Sequence, residues 1–258
     1  MNKYHIALTL AGIFLVVLLY QLPRTAVNNE EPNDLSSHSF DITKEDAGAI
    51  TSLKRLVKEE VSENYFNFAD SLASLYLRYG FLDSANDVTL KILLRDSSLQ
   101  RQKKAAEILY ASFERASNMK DANAYAREAR KVLVAILEKE TDNLSVKTKL
   151  AMTLVTTENP MSGIMMLREV IDVDPINREA LLSLGLLSIQ SGQYDKALER
   201  FEKLLDLEAN DYEAMLYLGV CYLETNKKDK AKLLFANIKA AENADPSLKV
   251  AAEEYLKN

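Results

Sequence analysis

Nucleophilic catalysis needs a hydroxyl or thiol with a base in hydrogen-bond reach. The sequence has two histidines, His5 and His38, and both precede the first segment with helical periodicity. Its one cysteine, Cys221, falls between Val220 and Tyr222 on an apolar stretch, where it reads as a small buried hydrophobe. A single cysteine also excludes an internal disulfide. Glu59-Glu60 and Glu253-Glu254 place carboxylates side by side. Neighbours in a helix point about 100° apart, so these pairs read as solvated faces rather than acid–base dyads. There is no Cys-x-x-Cys-His for haem, no Cys/His cluster for a metal and no glycine-rich phosphate loop. These residue types assign no catalytic residue, no cofactor, no metal and no small-molecule substrate. Whatever the chain does, it does with surfaces.

The elements that shape those surfaces are helices. Seven glycines and five prolines in 258 residues are few, and 48% of the residues are apolar. The net charge of −6, with no concentrated basic face, argues against a nucleic-acid partner.

Near the start, Ile6 to Tyr20 reads IALTLAGIFLVVLLY, and the run stretches to Tyr4–Leu22 if Tyr4, His5 and Gln21 sit at headgroup level. A spanning helix needs roughly 20 residues. A cleaved signal peptide is the rival, and Leu22-Pro23-Arg24-Thr25-Ala26 puts Arg24 where a cleavage site requires a small residue. Residues 1–23 are therefore expected to be a retained signal anchor. Lys3 and the terminal amine favour a cytoplasmic N-terminus, which sends the rest of the chain across the membrane, into the periplasm if the source is bacterial. The reverse, cytosol-facing topology is the alternative. Residues 24–42, polar and without periodicity, read as a flexible linker.

From Thr43 the period turns helical. Thr43-Lys44-Glu45-Asp46 has the form of a capping box, and Ile50, Leu53, Val57 and Val61 make one stripe of a capping helix over 43–65. Further on the sequence repeats itself. Placing Arg178 over Tyr212 brings Leu181 onto Met215, Leu184-Gly185 onto Leu218-Gly219, Ala197 onto Ala231 and Phe201 onto Phe235, an offset of 34 residues throughout. Stepping outward by the same grammar gives units at 66–99, 100–143, 144–177, 178–211 and 212–245, then a closing helix over 246–258. The 100–143 unit is irregular and about ten residues too long, as a pair of longer helices would be.

A 34-residue period carrying Leu-Gly and a later Ala-x-x-x-Phe resembles the tetratricopeptide repeat. The resemblance implies an all-α, right-handed solenoid of about five helix pairs, preceded here by a single N-terminal transmembrane helix. It also implies a scaffold that binds a partner protein in the concave groove lined by first helices. Carrying the family's groove positions onto this chain gives Met152 and Val155, then Leu182, Leu186, Ile189 and Gln190, then Leu216, Tyr217, Val220 and Leu223. The basic clamp by which some members hold a C-terminal carboxylate has Thr148, Leu182 and Leu216 at its positions instead. What stands there is an aliphatic stripe, covered by a partner, by the closing helix, or by packing between repeats. The layout is similar to anchored repeat proteins that serve translocation or assembly of membrane complexes; anchored receptors and co-chaperones are the alternative.

Overall fold

The computed structural model describes residues 42–58, 64–156 and 159–257. Among them the chain forms twelve α-helices and no strand. In order they are α1 Lys44–Lys58, α2 Tyr65–Arg78, α3 Leu82–Arg95, α4 Leu99–Glu114, α5 Met119–Leu137 and α6 Leu144–Val155. There follow α7 Pro160–Val173, α8 Arg178–Gln190, α9 Tyr194–Leu207, α10 Tyr212–Glu224, α11 Lys228–Ala240 and α12 Pro246–Lys257. No helix among the described residues is long and apolar enough to cross a membrane. The expected anchor over 1–23, the linker up to residue 41, both histidines and Glu59-Glu60 lie outside the described residues.

Helix starts are set by side chains at the repeat spacing. The N-cap side chains of Asn143, Asn177 and Asp211 accept the amide N–H of Val146, Ala180 and Ala214, each at 3.1 Å. One period on, Asp245 accepts the amide of Ser247 at 2.7 Å. These bonds satisfy N–H groups that a helix start otherwise leaves open. Thr43 caps α1 through Asp46 N–H at 3.1 Å, and Pro160 opens α7 where a missing N–H costs nothing.

Stops are equally regular. Gly80, Gly192 and Asn226 take positive φ of 77°, 71° and 59° at the turns inside three helix pairs. The next residue then donates back into the helix: Phe81 to Tyr76 at 2.9 Å, Gln193 to Ser188 at 2.8 Å and Lys227 to Tyr222 at 2.7 Å. This is the Schellman closure, which wants glycine or asparagine at its left-handed position. It turns each first helix sharply into its second.

Consecutive helices pack against one another throughout. First helices also touch the next first helix (α2 with α4, α6 with α8, α8 with α10, α10 with α12), whereas second helices make no comparable contact with each other. A stack that is close on one side and open on the other curves, so the first helices line the concave face. The exception is α4 and α6, which stand further apart beside the long pair α4–α5.

The repeat's packing unit is a ring on a bare backbone. A Cβ on Gly185 would lie 2.6 Å from Phe201, and one on Gly219 would lie 2.5 Å from Phe235. Both rings are fully buried. Each ring then stacks on a tyrosine of the following first helix: Phe201 on Tyr217 with centroids 5.7 Å apart, Phe235 on Tyr255 at 4.9 Å. Thus α12 occupies the seat of a further first helix. It packs on α11 and touches α10, and makes no comparable contact with α8. In the second helix of the 144–177 unit Gly163 replaces the small Ala197 and Ala231, and there the backbones themselves close up. A Cβ would lie 2.5 Å from the Ala151 carbonyl oxygen.

Candidate partner-binding groove

The ten residues expected to line the groove divide by burial. Leu216 and Val220 are 7% and 9% exposed and belong to the core between repeats, so they present almost no surface to a partner. Leu182, Leu186, Ile189, Tyr217 and Leu223 are half-buried, resting on that core with one side open. Met152 is half-buried against the neighbouring core of Ala151, Leu167 and Leu184, Val155 is half-buried beside it, and Gln190 is exposed. The aliphatic stripe is therefore shared: part of it joins the repeats, and part forms the floor of the groove. The physical reason is the width of the apolar arc on α8 and α10. Both helices are apolar nearly all round, so they bury two faces against neighbours and leave a third half-open.

The walls are polar and mostly acidic. Where α4 and α6 stand apart, Lys149 of α6 spans the gap, with Nζ 2.5 and 2.7 Å from the Glu107 carboxylate and 5.8 Å from the centroid of the Tyr110 ring. The Tyr110 phenol lies beside Glu114. Burial pushes the Glu114 carboxyl above its ordinary range; the charges of Glu179 and Glu213 push the same way, while Tyr110 and Lys149 oppose them. Burial and the neighbouring carboxylates raise the Tyr110 phenol as well. At the head of α8 the Ser145 hydroxyl donates to Glu179 at 3.2 Å. Arg178 grips Asp211 through Nε and Nη2 at 2.7 and 2.9 Å and reaches Glu213 at 2.9 Å. The Asp211 side chain is 4% exposed. Burial alone raises its pKa, but Arg178 and the Ala214 amide outweigh that and hold it below the usual carboxylate value.

At the N-terminal end, a cleft of about 270 Å³ opens among α2, α3 and α4. Within it Asp70 takes Arg101 at 2.8 Å and Lys104 at 2.9 Å. Cys221 is buried and its thiol is pushed up to about 12, chiefly by burial, so it stays protonated and serves as packing. No group of three His, Cys, Asp or Glu side chains able to hold a metal occurs among the described residues.

Lys149, Glu179 and Glu213 fall on α6, α8 and α10, the first helices that the repeat register marks. Glu107, Tyr110 and Glu114 were not legible in that way, because the 100–143 unit breaks the 34-residue register. The caps at 143, 177 and 211 do carry a signal, an Asn or Asp recurring at the repeat spacing, which apolar periodicity alone does not reveal.

A curved stack of helix pairs, with an inner face of half-open apolar residues and charged walls, defines a solenoid interaction module. Residues 188–252 match the family model described as the tetratricopeptide repeat. Over that stretch the chain carries the tetratricopeptide repeat. Among solved structures it is similar to a tetratricopeptide repeat protein from Parabacteroides merdae, with a TM-score of 0.59 and 15% identity, over 81% of this chain and 78% of that one. Looser likenesses are to MamA, with a TM-score of 0.44, 19% identity and coverage of 72% and 98%, and to YrrB, described as a repeat protein with an unusual peptide-binding site. For YrrB the TM-score is 0.42, the identity 20% and the coverage 80% and 99%. No curated protein matches the sequence.

Proposed function

We propose that the protein is a membrane-anchored scaffold that holds a segment of a partner protein in the concave groove of α6, α8 and α10. The observation that carries this reading is the half-open apolar floor of Met152, Leu182, Leu186, Ile189, Tyr217 and Leu223. The protein's own last helix sits at the end of the stack, touching α10 without comparable contact to α6 or α8, so it leaves Met152, Leu182, Leu186 and Ile189 open. Apolar floor in an open concavity favours a partner that supplies apolar side chains of its own. The apolar run over 1–23 supports anchorage, with the repeats on the far side of the membrane, and a partner in a membrane complex follows from that placement. Intact mass tests the anchor: the mature protein should retain Met1 or Asn2, and a product beginning near Val27 refutes it.

The groove is tested with Met152→Glu/Leu186→Glu. Both residues are only partly buried, so the added carboxylates can turn toward water and the fold should persist, with a circular dichroism spectrum like that of the parent. Purified in mild detergent, the parent should carry a bound protein that the double variant lacks. A variant that stays folded and keeps the same companion contradicts the groove as the binding surface.

A further inference from the structure

We infer that the solenoid is jointed between α7 and α8, so that the described residues up to Val173 and those from Arg178 onward turn against each other as two blocks. The joint runs under the groove. Met152 and Val155 lie on one side of it and Leu182, Leu186 and Ile189 on the other, so its angle sets how far the two halves of the floor stand apart. This holds whether or not a partner occupies the groove.

Three features place the joint. Each second helix packs on the first helix that follows it, and α7 packs on α8 least extensively of them all. On the inner side α6 and α8 still touch, as first helices do at other junctions. A junction held on its inner side and thin on its outer side has an axis to turn about. The ring lock is also missing. At the next two junctions a phenylalanine of the second helix stacks on a tyrosine of the following first helix, Phe201 on Tyr217 and Phe235 on Tyr255. One period before Phe201 stands Leu167, and α8 contains no aromatic residue to receive a ring. The junction is filled instead by Leu167, Val170, Ala180 and Leu184. Stacked rings prescribe an orientation, whereas aliphatic side chains in contact do not.

The third feature is electrostatic. An ion pair crosses each of the other junctions: Arg78–Asp46, Arg101–Asp70 and Lys149–Glu107 before this one, Arg178–Asp211 and Lys239–Glu253 after it. Among the described residues none crosses between the α6–α7 pair and the α8–α9 pair. The only polar side-chain bond there is the Ser145 hydroxyl donating to Glu179 at 3.2 Å. In a stack where each repeat touches only its neighbours, the loosest junction sets where the whole bends.

The test uses the full chain in detergent, spin-labelled in pairs at Lys131, Met165, Glu199 and Leu233, which are exposed on successive second helices and 34 residues apart. The one native cysteine, Cys221, is buried and does not compete for label. Pulsed electron paramagnetic resonance reads the distances in Lys131→Cys/Met165→Cys, Met165→Cys/Glu199→Cys and Glu199→Cys/Leu233→Cys. The middle pair straddles the joint and should give a distribution about twofold broader than the flanking pairs. Leu144→Arg/Asn177→Asp then copies the Arg178–Asp211 clamp one period back, with Glu179 in the place of Glu213. Aspartate serves as an N-cap as well as asparagine does, so the start of α8 is kept. This clamp should narrow the middle distribution to the width of its neighbours and leave the flanking pairs unchanged. A middle pair no broader than the others overturns the joint. So does a broad middle pair that the clamp leaves broad while the flanking pairs stay as in the parent. A clamp variant whose flanking pairs broaden has lost its fold, and the parent's three widths then decide alone.

Discussion

At the scale of single residues, two glycines in similar helices do opposite jobs. Gly219 lies under a fully buried phenyl ring, and a methyl there would stand 2.5 Å from Phe235. The ring cannot withdraw, because it is stacked on Tyr255. Gly219→Ala should therefore cost about 1–3 kcal/mol, lowering the melting temperature by several degrees. Gly48, in α1, has no neighbour within 4 Å of its would-be Cβ. Gly48→Ala should stabilise by about 0.5–1 kcal/mol through helix propensity alone. Thermal melts of the two variants beside the parent check both signs; equal effects would mean that the Phe235–Gly219 contact is not tight. The Gly219 position was legible in the sequence, since Leu-Gly recurs 34 residues apart with a phenylalanine at a constant distance. The burial of Leu216 and Val220 was not. Periodicity assigns a residue to a face of its helix, but α8 and α10 are apolar on several faces, and only the neighbours decide which face closes.

At the scale of elements, successive first helices are joined at their heads as well as along their flanks. Asp211 caps α10 and at the same time binds Arg178 at the start of α8. The equivalent caps of α6 and α8 are Asn143 and Asn177, so Asp211→Asn keeps the cap and removes only the charge. With Arg178 45% exposed the pair is partly screened, and the variant should lose about 1–2 kcal/mol at neutral pH. The sign with pH follows from the lowered folded-state pKa of Asp211. Its contribution is present above the unfolded carboxylate value, near 4, and disappears as pH falls through the lower folded value. Urea unfolding of parent and variant should differ at pH 7, and the gap should narrow as the pH is taken below about 4. A gap that persists in acid would show that the asparagine has disturbed the cap itself. The all-helical, repeating stack could be read from the sequence. The α4–α5 pair was only roughly placed, because its longer helices lose register with the rest, and the groove wall of Glu107, Tyr110 and Glu114 went with it.

At the scale of the whole molecule, a solenoid has ends, and each must be covered. Helix α12 covers the last repeat with Tyr255 on Phe235 and with Ala252 wholly buried. Truncation before Pro246 should destabilise the C-terminal repeats by about 3 kcal/mol and, by baring Phe235, promote self-association visible in light scattering. A truncated chain as stable and monodisperse as the parent would reduce α12 to an appendage. The inner face has no such cover from within the described chain, and the central claim concerns what covers it. A photo-crosslinking residue placed at Gln190, at the edge of the groove floor, is compared with one at exposed Glu199 on the outer helix α9. On illumination in native membranes the account predicts a discrete crosslinked partner from Gln190 and none from Glu199. A partner captured from Glu199 and absent from Gln190 would contradict it and move the binding surface to the convex face.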